Sequence, residues 1–195
     1  MQGDLIMRQA KYNIDRDSIL EKTFNYLVKN GLENITIREL CKGTGIAQGS
    51  LYYWFDDKTN IICESTEYGF ETVSRKIFEY AFSAVDDLEK FFKECMSNIS
   101  LYKDELRFIY QMAASPIYGE RIRTEANNYE WYKIYSEKLS KKLGCSSDDL
   151  LPLVYLFIST ILNYVIWEKK EGTADQLKFI YTSLVGKIHK NNGIA

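Results

Sequence analysis

Apolar residues recur at helical spacing along almost the whole chain, and nowhere do they alternate for long enough to suggest a strand. Ile19, Leu20, Phe24, Leu27 and Val28 form a stripe over 15–30. Asp15 or Asp17 can cap its start, and Gly31 stands where a helix ends in the left-handed conformation. Thr36 and Glu39 have the spacing of a capping box, so a short second helix is predicted from Thr36 to about Gly43, burying Ile37, Leu40 and Cys41. Gly45 marks a turn. Residues 47–55 follow as a third short helix, with Ile46 and Leu51 facing back into a small core. Asp57 then caps a long fourth helix through Ile61, Ile62, Val73 and Ile77 to about Ala81.

Farther on, helices are predicted over 87–102, over 104–114 ahead of Pro116, and over 117–143, closed by Gly144. Ser146 opens a helix that is apolar on nearly every side from Leu150 to Trp167, with Pro152 in its first turn, where a missing N–H costs little. Gly172 is expected to break it, and Thr173 and Gln176 to form a second capping box for a last helix striped by Leu177, Ile180, Leu184 and Ile188. The pattern predicts an all-α chain of about nine helices. A three-helix bundle with a helix-turn-helix is expected over 1–56, and an antiparallel helical domain over 57–195.

Composition changes this picture little. The chain has 195 residues, 46% of them hydrophobic, and only two prolines, enough for a folded helical core. Met1 to Arg8 lacks a basic head followed by a long apolar run, so no secretory leader is expected and the location reads as cytoplasmic. Cys41, Cys63, Cys95 and Cys145 are widely spread and His189 is the one histidine, so neither a Cys/His metal site nor a cofactor is expected. No nucleophile–base constellation is visible either, and enzyme activity is not expected. Leu150–Trp167 is uncharged over eighteen residues, the loose criterion for a membrane span. Pro152, Ser159, Thr160, Asn163 and two tyrosines favour a buried interface helix over a membrane anchor.

The chemistry lies in residues 35–58. A short helix, a glycine-bearing turn and a second short helix with an exposed face form the pattern that lays a recognition helix in the DNA major groove. Net charge is −2, and the first 58 residues carry eight basic and eight acidic side chains. Binding must therefore lean on placed contacts and helix N-termini more than on a broad positive field.

Thr36-x-Arg38-x-Leu40, followed by Gly45-Ile46-Ala47-Gln48-Gly49-Ser50-Leu51-Tyr52-Tyr53-Trp54-Phe55-x-x-Lys58, resembles the TetR family of transcriptional regulators over roughly residues 15–62. Two departures stand out: Ala47 replaces a serine common at the start of the recognition helix, and Trp54 replaces tyrosine or histidine. The helix geometry puts Gln48, Gly49 and Ser50 in the first turn, the end that reaches base edges. Gln48 can pair bidentately with adenine, Ser50 can bond several bases, and Gly49 allows close approach. The resemblance implies that Tyr53 and Trp54 contact bases or phosphates. Thr36, Tyr52 and Lys58 are the expected phosphate anchors, with Arg38 at the groove edge; half core is the lesser reading of Tyr52.

The resemblance further implies a homodimer, built through the two C-terminal helices, that reads a palindromic stretch of double-stranded DNA and is released by a small molecule. An apolar or aromatic effector is expected among the aromatic residues of the middle. Tyr102, Phe108, Tyr110, Met112, Tyr129, Tyr132 and Trp167 are the candidate lining, together with Phe91 and Phe92. Asn163 is a candidate orienting group, or alternatively a residue fixing dimer register. The bland reading of these aromatics is ordinary core. The competing function is a DNA-binding or architectural factor without small-molecule control.

Overall fold

The structure, a computed structural model, describes residues 14–33, 35–125 and 128–191, excepting the side chains of 125, 128, 129 and 191. Among these every regular element is helical. Helix α1 (Arg16–Asn30) starts where the Asp15 carboxylate accepts the Ser18 N–H at 2.8 Å. It stops at Gly31, whose φ of 74° and ψ of −169° differ from the expected left-handed cap but are likewise open mainly to glycine. Helix α2 (Ile37–Thr44) carries the predicted capping box: Thr36 Oγ1 accepts from Glu39 N at 3.2 Å, and the Glu39 carboxylate accepts from Thr36 N at 2.7 Å. Gly45, at φ 71° and ψ 13°, closes α2 by donating its N–H to Cys41 O. Helix α3 (Gln48–Trp54) follows, then the long α4 (Lys58–Ala84), whose start is capped when Asp57 accepts the Asn60 N–H at 2.8 Å.

Helix α5 (Leu88–Ile99) continues through a 3-10 turn (Ser100–Tyr102) into α6 (Lys103–Ala114). The single helix expected over 117–143 is instead two, α7 (Gly119–Glu125) and α8 (Asn128–Leu143). Helix α9 (Ser147–Trp167) and α10 (Lys170–Asn191) complete the chain. Pro152 sits inside α9, past the first turn, so the expected tolerance at a helix start does not apply to it. Gly172 breaks nothing, because it lies within α10. The expected second capping box is absent there: Thr173 is buried, and its hydroxyl donates to Lys169 O at 2.8 Å.

What separates α9 from α10 is Glu168, in the left-handed conformation at φ 53°. Arg107 holds this junction, its Nε donating to Val165 O at 2.7 Å and its Nη2 to the Glu168 carboxylate at 2.6 Å. Lys103 adds an ion pair at 3.5 Å. Arg107 and Lys103 hold the Glu168 carboxyl below its ordinary value of 4.5.

The chain packs as two compact units, which do not follow the single cut expected after residue 56. The first joins the chain up to Thr72 with Phe108–Glu125. Ile19, Leu27, Leu40, Leu51, Ile61 and Ile62 form its centre, and Phe108, Met112 and Ile122 complete it, with the Phe108 ring edge-on to Phe24 at 5.9 Å. The second unit comprises Val73–Arg107 and the chain from residue 126 onward. Its core gathers Val73, Phe91, Cys95, Ile161, Val165 and Ile180, with α9 packed between α8 and α10. In the most apolar stretch of α9, the one helix among the described residues long and apolar enough to cross a membrane, only 22% of residues are buried.

Candidate nucleic-acid interface

Two close fits set the angle between the elements of the reading head. Gly43 lets α2 press against α1, since a Cβ there would lie 1.8 Å from the Tyr26 ring. The positive φ of Gly45 then turns the chain tightly enough for Ile46 and Leu51 to reach the same core. Leu51 and Phe55 anchor α3 from one side, one helical turn apart. The opposite side is bare: Gln48 and Gly49 are exposed, Tyr52 and Tyr53 are each 48% exposed, and Trp54 is 40% exposed. Tyr53 and Trp54 meet edge to face at 5.0 Å, which presents two broad polar-tipped rings as one surface. Ala47 caps α3 without a side-chain hydrogen bond, so no side chain at this position occupies the first amides of the helix.

Thr36 and Arg38 are exposed at the start of α2, beside this surface in the motif. The Thr36 hydroxyl is engaged in the capping box, so its contribution to an anion site is shared with Glu39. Two expected contacts are placed otherwise. Ser50 is only 5% exposed, on the buried side of α3 with Leu51. Lys58 is half-buried and its Nζ donates to Ile35 O at 3.0 Å, tying the start of α4 to the approach of α2. The base of the head is braced by charge: Arg16 pairs with Glu64 and stacks 5.5 Å from the Phe55 ring, while Arg121 reaches Asn60 at 2.6 Å and Glu64 at 3.6 Å. Sequence spacing does not show this brace, since Arg121 is far from its partners along the chain.

The expected effector residues are divided between the two units. Phe108 and Met112 are sealed in the first unit's core. Tyr110, Asn163 and Trp167 are exposed, Trp167 to 65%. Tyr102 packs against the second unit's core with Lys76 Nζ 5.7 Å from its ring, and Tyr132 meets Tyr155 edge-on at 5.6 Å. Burial and then Tyr155 raise the Tyr132 hydroxyl above its usual value. The Tyr129 side chain lies outside the described residues. A cavity does exist in the second unit, lined by Phe91 and Phe92 and otherwise by aliphatic residues and other phenylalanines. Its signal in sequence was the all-round apolar character of α9, which an interface alone also explains.

Burial pushes the Cys95 thiol up to about 11, so it stays protonated at neutral pH. Among the described residues no group of three His, Cys, Asp or Glu is placed to hold a metal ion.

A capped helix, a left-handed glycine turn and a short helix with one buried and one bare face define a helix-turn-helix DNA-binding protein. Residues 19–64 match the family model for bacterial regulatory proteins of the tetR family. The chain is similar to that family over its reading head, residues 19–64. It is similar to the biofilm operon icaADBC HTH-type negative transcriptional regulator IcaR of Staphylococcus aureus, 23% identical over 173 residues covering 84% of this chain and 90% of IcaR. It is also similar to the HTH-type transcriptional repressor KstR2 of Mycobacterium tuberculosis, 25% identical over 192 residues covering 90% and 93% of the two chains. The solved structure of SCO7518 from Streptomyces coelicolor A3(2) shares the fold, with a TM-score of 0.62 at 17% identity over 87% of this chain and 97% of that one.

Proposed function

We propose that this chain is a cytoplasmic homodimeric repressor that binds a palindromic operator and is released by a small molecule. The bare aromatic face of α3, held on a capped and turned scaffold, is the observation that carries the DNA-binding part. Repression follows the relatives IcaR and KstR2, which are named for it. One reading head covers half a site, so a two-fold dimer is needed to place two heads about 34–36 Å apart on one side of the duplex. The outward residues of α9 and α10 suit that role: Tyr155, Leu156 and Trp167 on one helix and Phe179 on the other are exposed and apolar.

For release, the effector must bind the DNA-free form more tightly than the bound form; equal affinity shifts nothing. Helix α4 runs unbroken from the first unit into the second and is the element through which a ligand would act. Selection of fragments from a random DNA pool by the purified full chain tests the reading. An enriched palindrome is expected, together with a dimeric mass in sedimentation. Enrichment of an asymmetric site by a monomer would replace this proposal with a DNA-binding factor of a different architecture.

A further inference from the structure

We propose that the second unit holds a slot for a saturated hydrocarbon chain of medium length, a ligand class whose regulatory consequence rests on the release mechanism above. The slot is a cavity of about 70 Å³ walled by α4, α5, α8, α9 and α10. Its lining runs from Ile77 along α4 to Val85 just past its end, and from Leu150 to Ile158 along α9. Eight residues of helix at about 1.5 Å each make either wall about 12 Å long. A long, thin space of this kind takes a chain of roughly six to ten carbons at bond lengths near 1.5 Å. It does not take a bulky polycyclic ligand.

Lining chemistry narrows the class further. Every lining residue is an aliphatic residue or phenylalanine, so no hydroxyl, amide or charge is available to replace the water that a polar group would lose on entry. Two charged residues next to the lining in sequence are already paired. Lys142, beside Leu143, donates to Phe82 O at 2.9 Å and bridges Asp86 at 3.1 Å; Asp149, beside Leu150, pairs with Lys187 at 2.5 Å. Recognition therefore falls on the chain, with the head group left to solvent, and a primary alcohol and a carboxylate of equal chain length bind alike.

Calorimetric titration of the full protein with hexanol, octanol, decanol and dodecanol, and with octanoate, tests the slot. Affinity should rise about three- to fourfold per added methylene, then level off once the chain exceeds the wall length. Octanoate should follow octanol. Ala81→Leu, which places three more carbons in the slot, should weaken octanol binding by tenfold or more. Val154→Ala, which lengthens the free space instead, should move the plateau to longer chains, so a folding defect in one variant does not decide the matter. Absence of chain binding, affinity independent of chain length, or an Ala81→Leu variant with unchanged affinity overturns the slot. Octanol added to the protein–operator complex is a separate readout: chain binding without DNA release keeps the slot and sinks the release mechanism.

Discussion

Gln48 and Ser50 stand two residues apart on α3, yet the fold gives them opposite surroundings. Gln48 is exposed on the reading side, so Gln48→Ala should relax preference at one position of each half-site by about 1–3 kcal/mol. Ser50 is buried, so Ser50→Ala should move thermal stability and leave the preferred sequence unchanged. A selection experiment repeated with each variant separates the two effects, and a changed motif for Ser50→Ala would place α3 in a different register. Lys58 has a structural partner, so Lys58→Met should lower stability by about 1 kcal/mol, the worth of one hydrogen bond to Ile35 O. If Lys58 also touches a phosphate, the salt slope of DNA binding falls by about one in the same variant.

Glu168 gives a residue-level pH prediction. Its carboxyl is held low in the folded state by Arg107 and Lys103, so its stabilising contribution is present above the ordinary value of 4.5 and is lost as pH falls through the lowered one. Thermal melts at decreasing pH below 4.5 should show this loss in the wild type and a smaller one in Arg107→Ala. Arg107→Ala should also be less stable at neutral pH, because Val165 O loses its donor.

At the scale of elements, local chemistry and distant packing part company. Thr36 and Glu39 were legible as a capping box because each partner lies within one turn of the other. Gly45 was legible as a turn because its left-handed φ is a property of one residue. Gly45→Ala should cost about 1 kcal/mol by forcing a Cβ into that conformation. Gly43→Ala should cost more, since its Cβ would overlap the Tyr26 ring, and adding Tyr26→Ala should recover part of the loss by opening that space. Chemical denaturation of the single and double variants checks this; no recovery would mean the two helices do not separate along that contact. The α9–α10 junction was misplaced at Gly172 because its cause is an arginine about sixty residues away. Nothing near Gly172 or Thr173 in sequence announces that contact.

For the whole molecule, the exposed apolar residues of α9 and α10 carry the dimer proposal. Phe179→Asp is expected to leave the fold intact, as Phe179 is 62% exposed, and to shift the protein to monomer with weakened operator binding. Sedimentation equilibrium measures the first effect and DNA titration the second; a Phe179→Asp protein that remains dimeric would move the interface off this part of α10. Sequence by itself determined the helical class, the cap–turn–helix order of the reading head and the core positions Leu40, Ile46 and Leu51. Periodicity, capping and glycine turns are settled by residues a few positions apart. Only tertiary structure decided that Phe108 and Met112 complete the first unit's core, that Ser50 faces inward and that an aliphatic slot lies behind α9. An aromatic or aliphatic side chain at helical spacing is compatible with core, cavity or surface alike, and the choice is made by neighbours brought in from distant parts of the chain.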